Sequence, residues 1–237
     1  MTRMVPKLIK CAVCDQQSEQ MVLGSTSSFG APDLDGRPPS LMRYTISCWV
    51  QRCPSCGYCA PQIAEPGVKT TEVMADAFYQ TQLHNHSFPV LANSFLCAAL
   101  IQQQQGQLAD AGWSCVHAAW VCDDERNTIA AQHCRHKAIA LLQQATDAGQ
   151  QTHADPEHGA LLLTDVLRRS GEFAAAAAYC QHMLAQPLSP LVQRMLAAQQ
   201  ALITRRDTSG YTIEEAIGET TYHTLLEQQK KEGERDA

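Results

Sequence analysis

The sequence predicts an α+β protein: a small N-terminal zinc-ribbon β domain over residues 1–62, a linker over 63–71, and an all-α helical domain over 72–237. Three observations carry that expectation. Two Cys-x-x-Cys pairs, Cys11/Cys14 and Cys53/Cys56, lie within the first sixty residues, a pattern that can close four thiolates around one metal ion. Apolar residues make up 45% of the chain but aromatics only 6%, so the core must come from Ala, Leu, Val and Ile, which suits packed helices. From about residue 72 onward the apolar positions recur at helical spacing.

Composition also excludes classes. No stretch approaches the length of a membrane span, and the opening "MTRMVPKLIK" lacks the apolar run of an export signal. A cytoplasmic protein is the expectation. The 11 cysteines are an odd number, and thiols in a reducing compartment are reduced or metal-bound rather than paired. Charge is unevenly placed: residues 1–60 carry six Lys/Arg and four Asp/Glu, whereas residues 61–237 carry twelve and twenty. The acidic C-terminal part is a poor match for a phosphate backbone, so nucleic acid is disfavoured as a partner.

In the N-terminal part, each Cys-x-x-Cys pair allows a tight turn whose amides point at the sulfurs. Gly57 follows the second pair and suits the left-handed conformation that such a turn needs. Asp15 holds the matching place after the first, a residue type that tolerates that conformation. Between the pairs lie 38 residues, long for a compact ribbon. Within them "LMRYTISCWVQ" alternates, with Met42, Tyr44, Ile46, Cys48 and Val50 on one face, which predicts a strand leading into the second pair. Cys48 then faces inward as a small buried residue, and Trp49 is placed to cover the zinc turn. Cys59, three residues past Cys56, is a substitute ligand or redox thiol only if the four-sulfur shell opens. Four cysteines leave no coordination position for water or substrate, so one Zn²⁺ with a structural role is expected. A segment of some sixty residues buries too little to be stable alone, whereas zinc–thiolate binding supplies about 10–16 kcal/mol.

The segment "GSTSSFGAPDLDGRPPS" reads as a loop from its glycines and prolines. Asp33, Asp35 and Arg37 form its densest polar cluster, and two readings stay open: Asx-type turns with a local ion pair, or an exposed recognition loop.

Past the linker, Asp155-Pro156 and Ser189-Pro190 set a capping residue before a proline, and Thr212 with Glu215 forms a capping box. "GQLADAGWSCVHA" from Gly106 aligns with "GEFAAAAAYCQHM" from Gly171: Leu108 with Phe173, Ala111 with Ala176, Cys115 with Cys180. The offset of 65 residues is close to two 34-residue units, and Gly followed by a large apolar residue and Ala resembles a tetratricopeptide repeat. The region is therefore expected to be a degenerate, TPR-like array, with a plain helical bundle as the alternative. His133 and His136 share a helical face, but no third ligand is placed beside them. Asp123, Asp124 and Glu125 are read as capping the following helix, and "EQQKKEGERDA" as an exposed helix terminus.

Taken in order, the first Cys-x-x-Cys, "FGAPDLDGRPP", "WVQRCPSCGYCAP", "FLCAALI" and "AAWVCDD" resemble the bacterial family known as domain of unknown function 2225, over roughly residues 8 to 216. The resemblance implies a zinc-binding N-terminal region and a TPR-like helical region, with no established activity. It implies Cys11, Cys14, Cys53 and Cys56 as metal ligands, and Asp33, Asp35 and Arg37 as matching loop positions without an assigned role. Asp15 departs from the glycine that members often carry there.

The expectation for function is a non-enzymatic zinc-binding protein whose helical domain holds an unidentified protein or peptide. The alternative is an enzyme or a metal or redox sensor, with a composite site between ribbon and helices built from Asp33, Asp35 and Arg37 with histidines such as His84 and His117.

Overall fold

The computed structural model describes residues 2–233. The chain divides into two compact units: Met1–Phe29 with Ser40–Thr152, and Gly30–Pro39 with His153–Ala237. That division is not at the expected linker over 63–71. The residues there are built into the first unit: Ile63 is wholly buried, its amide donates to the Gln51 side chain (3.0 Å), and its carbonyl accepts from Ala12 (2.9 Å). The Tyr58 hydroxyl donates to the Glu65 carbonyl at 2.7 Å. Ile63 and Thr70 are buried while positions 64–66, 68, 69 and 71 are exposed, so the segment is a surface loop anchored at both ends within the first unit.

The first unit opens on an antiparallel hairpin, β1 (Arg3–Lys10) and β2 (Gln17–Ser25), in register from Lys10↔Gln17 outward with one irregularity at Arg3/Met4. Its sequence signal is weak, because β1 carries Pro6 and both strands stay largely exposed. A two-stranded ribbon tolerates that proline, since β1 pairs on one edge only. The strand expected over residues 42–50 is instead a 3₁₀ turn, Arg43–Cys48. Thr45 and Ile46 are buried side by side, Tyr44 is exposed and Cys48 half-buried. Thr45 Oγ1 donates to the Met42 carbonyl (2.7 Å) and accepts from the Trp49 indole (2.9 Å). Alternation alone does not make a strand; a partner must satisfy its backbone, and here the ladder that follows, among the described residues, is two residues long. It joins β3 (Gln51–Arg52) to β4 (Cys59–Ala60).

Five helices complete the unit: α1 (Thr70–Ala75), α2 (Ala77–Leu83), α3 (Val90–Gln104), α4 (Leu108–Asp124) and α5 (Thr128–Asp147). Helix α3 is buried continuously from Ala92 to Ala99, the polar Asn93 and Ser94 included. That is the signature of a central helix, and it packs on α2, α4 and β4. Helix α4 lies between α3 and α5 and carries the fully buried Trp120.

The second unit contains α6 (Pro156–Arg169), α7 (Phe173–Leu184), α8 (Pro190–Thr204), the short α9 (Ile213–Ile217) and α10 (Glu219–Gly233). The expected starts are present with one change. Asp155 accepts from the Glu157 amide, and Thr212 with Glu215 closes a capping box. Ser189 does not cap α8; its hydroxyl donates to Glu157 at 2.6 Å. The segment 30–39 is part of this unit: Asp33 bridges to Thr212, Leu34 donates to the Tyr211 carbonyl (3.0 Å), and Ile213 donates to the Pro32 carbonyl (2.9 Å). The last residues of the expected C-terminal helix end, beyond Gly233, lie outside the described residues.

The two aligned glycines behave alike. Gly106 (φ +76°) ends α3 and Gly171 (φ +89°) ends α6. Each donates to the carbonyl three residues back, while the next amide reaches five back: Gln107 to Gln102 and Glu172 to Leu167. This is the Schellman closure that favours glycine. Ala111 and Ala176 are both wholly buried, as is Cys180, and Cys115 is 1% exposed. Arg126 and Arg206 make the same closure with positive φ and no glycine, so two of the turns carry no sequence mark. Among the described residues no helix is long and apolar enough to cross a membrane.

Candidate metal centre

The two Cys-x-x-Cys turns have the same backbone geometry. Cys11 donates to the Gln16 carbonyl (2.9 Å) and Asp15 donates back to Cys11 (3.0 Å); Cys53 donates to the Tyr58 carbonyl (2.8 Å) and Gly57 back to Cys53 (2.9 Å). The first turn sits at the tip between β1 and β2, the second between β3 and β4. Asp15 (φ +60°) and Gly57 (φ +77°) both adopt the left-handed conformation expected of them. Asp15 also pairs with Lys10 at 2.7 Å on the surface. At position 57 a side chain meets a second obstacle, because a Cβ there would lie 2.5 Å from Leu83 of α2.

These turns bring four sulfurs together. The Sγ atoms of Cys11, Cys14, Cys53 and Cys56 all lie within 4.8 Å of one another, and this is the cluster of that kind among the described residues. Two of these approaches cross from one turn to the other: Cys11 to Cys56 at 3.7 Å and Cys14 to Cys53 at 3.6 Å. For a metal–sulfur bond of about 2.3 Å, the edge of a regular tetrahedron is about 3.8 Å. The donor set and its spacing therefore fit a metal ion held by four thiolates, and are compatible with zinc. Cys11 and Cys53 are wholly buried and Cys14 and Cys56 half-buried.

The electrostatics show why the cluster calls for a cation. Burial pushes the Cys53 thiol up, but the amides of Cys56 and Ser55 and the neighbouring thiols of Cys14 and Cys56 outweigh it and bring it down to about 7. Burial raises the Cys56 thiol far above its ordinary value, and the adjacent Cys14, Cys53 and Cys11 sulfurs raise it further. Burial likewise raises Cys11. The Cys53 thiolate forms readily while Cys56 and Cys11 resist ionising, and a positive ion between the sulfurs would remove that resistance.

The remaining cysteines of the region are not in the cluster. Cys59 is fully buried, its Sγ 3.3 Å from the Gly57 carbonyl. Hydrogen bonding with Cys97 pulls its thiol down, while the same neighbour raises Cys97. Trp49, expected over the turns, packs edge-on to His117 of α4 with ring centres 5.1 Å apart.

Asp33, Asp35 and Arg37 are held together within the second unit. Asp33 donates to the Arg37 carbonyl and accepts from Gly36, both at 2.9 Å, and the Arg37 amide donates to Asp35 Oδ1 at 3.2 Å. Asp35, 1% exposed, takes a hydrogen bond from Arg169 Nη1 at 3.0 Å. Beside it Arg168 donates to Asp165 at 2.6 Å, both buried; burial pushes the Asp165 carboxyl up although the Arg168 guanidinium opposes it. The loop is an Asx-type turn locked by buried charge pairing. His133, which shares a helix face with His136, packs edge-on against Phe88 at 5.6 Å, and its imidazole is made harder to protonate by burial. Asp123 forms a bidentate pair with Arg135 and does not cap α5; Asn127 does that by accepting from Ala130.

The sequence reading passed over an aromatic group in the first unit: Trp49, Phe95, Trp113 and Trp120 around His117. A signal existed, since Trp113, His117 and Trp120 recur at i, i+4 and i+7 on one helix face.

Comparison of the chain with protein-family models, with curated proteins and with solved structures finds no match.

Proposed function

We propose that the four-cysteine centre holds one structural zinc ion and that the protein works as a non-enzymatic scaffold whose helices bind a peptide segment of a partner. The observation that carries this reading is the sulfur cluster itself. Four protein thiolates complete a tetrahedral shell and leave no position for a water or substrate, and such a site ties the hairpin tip to the second turn. The matched Gly106 and Gly171 turns, with Ala111 and Ala176 buried behind them, support a degenerate TPR-like repeat, the organisation implied by the resemblance to domain of unknown function 2225. Within the first unit, a groove of about 470 Å³ runs among α1, α2 and α3, with Phe78 and Leu100 framed by Lys69, Glu72 and Asp76. Phe78 is 80% exposed, and an aromatic ring displayed beside mixed charges suits a peptide with an apolar anchor. The burial of Asp35 and Arg37, with the Asp35 carboxylate accepting from the Arg37 amide and from Arg169, supports a structural turn over the composite catalytic alternative.

Two measurements test this. Elemental analysis should give one zinc per chain, lost on Cys11→Ser. A photo-crosslinking phenylalanine analogue at Phe78 should yield discrete protein adducts in cells, whereas the same group at the exposed Gln144 of α5 should not. Equal labelling at both positions, or none at Phe78, overturns the groove assignment.

A further inference from the structure

We infer that the first unit contains a second, unrelated binding site: an aromatic-walled cavity that takes a trimethylammonium group. The chain has few aromatic residues and only three tryptophans, yet all three converge on His117. Ring centres lie 5.1 Å from it for Trp49, 5.8 Å for Trp113 and 5.0 Å for Trp120, with Phe95 of α3 at 5.3 Å. Trp120 is buried and backs the group. Trp49, Trp113, Phe95 and His117 line a cavity of about 200 Å³.

The indole N–H groups are already spent. Trp49 donates to Thr45 Oγ1 at 2.9 Å and Trp113 to the Thr152 carbonyl at 2.7 Å. Both rings are thereby fixed in place, and what they can offer a ligand is π-surface. Among the other lining residues are Asp110 and the Ser114–Gln102 pair, the Ser114 hydroxyl donating to Gln102 Oε1 at 2.7 Å; no lysine or arginine lines the cavity. Aromatic rings with a carboxylate at the exposed rim and no lysine or arginine among the described lining residues are the surroundings that favour an organic cation. A hydrated ammonium or metal ion is a worse match, since the walls cannot replace its water ligands. Ligand pockets for whole drug-sized molecules run to about 300–1,000 Å³, so a cavity of 200 Å³ takes a head group. An alkylated ammonium combines positive charge, apolar surface and that size. This inference does not rest on the peptide groove, whose lining residues are different.

The head group could arrive on a free small molecule such as choline or on a trimethylated lysine side chain, and the test separates them. Because all three tryptophans belong to this cluster, intrinsic fluorescence of the full chain reports on the cavity. Choline chloride and trimethyllysine amide are titrated at constant ionic strength against sodium chloride, alongside 3,3-dimethylbutan-1-ol, the uncharged isostere of choline. At least one cation should give a saturable change, with the isostere weaker by about tenfold or more. Asp110→Asn, at an exposed position, should weaken the cation several-fold and leave the isostere unaffected; Trp113→Ala should abolish both signals, with folding checked by circular dichroism. Saturation by choline assigns a free metabolite-type ligand; saturation by trimethyllysine alone assigns a methylated side chain. Equal affinity for choline and its isostere, insensitivity of the cation to Asp110→Asn, or no saturation by either cation overturns the inference.

Discussion

Removal of the metal, by a strong chelator or by Cys53→Ser, should unfold the N-terminal part of the first unit while leaving the helices of the second intact. Hydrogen exchange read by mass spectrometry should show protection lost across residues 3–25 and 43–66, with α6, α7 and α8 unchanged. The expected size is large. The hairpin is a two-stranded ribbon with little buried surface, a structure marginal by itself in water. Thiolate–zinc binding supplies about 10–16 kcal/mol, more than the whole stability of many domains. Acidification should have the same effect as chelation, since a thiolate that takes up a proton releases its bond to the ion. The scaffold reading fails if protection in residues 3–25 and 43–66 is the same with and without metal.

Breaking the buried pair between Arg169 and Asp35 should be the other costly change. Arg169→Met leaves the Asp35 carboxylate, 1% exposed, without the guanidinium that stands 3.0 Å away. Losing one member of a buried pair costs about 3–5 kcal/mol, whereas exchanging both for apolar residues is often neutral. The thermal midpoint of Arg169→Met should therefore fall sharply, and limited proteolysis should begin to cut within residues 30–39. The double change Asp35→Leu with Arg169→Met should recover most of the loss. If the single variant melts like the parent, the pair does not lock the loop.

Much of the candidate site was legible. Cys11, Cys14, Cys53 and Cys56 declare themselves because a two-residue spacing is a local device: each turn is built from hydrogen bonds within five residues. Asp15 and Gly57 were readable for the same reason, as were Asp155 and the Thr212–Glu215 box, since capping is settled within one helical turn. The strand assigned to residues 42–50 was misread because polar–apolar alternation describes a half-buried strand and also a short 3₁₀ turn that buries Thr45 and Ile46. Only a partner strand distinguishes the two, and the sequence does not state partners. Arg126 and Arg206 end helices in the left-handed conformation without the glycine that would announce it.

By itself, then, the sequence determined the two Cys-x-x-Cys turns, the helix starts at Asp155 and Thr212, the glycine-closed helix ends and the mainly helical character, because each depends on residues close along the chain. Tertiary structure decided the rest. It closed the four sulfurs into one cluster from residues 39 and 45 positions apart, attached Asp35 to Arg169 at a separation of 134, and brought Trp49 and Phe95 from distant parts of the chain to His117. Those contacts are set by which surfaces pack once the chain has collapsed, and no local propensity encodes them.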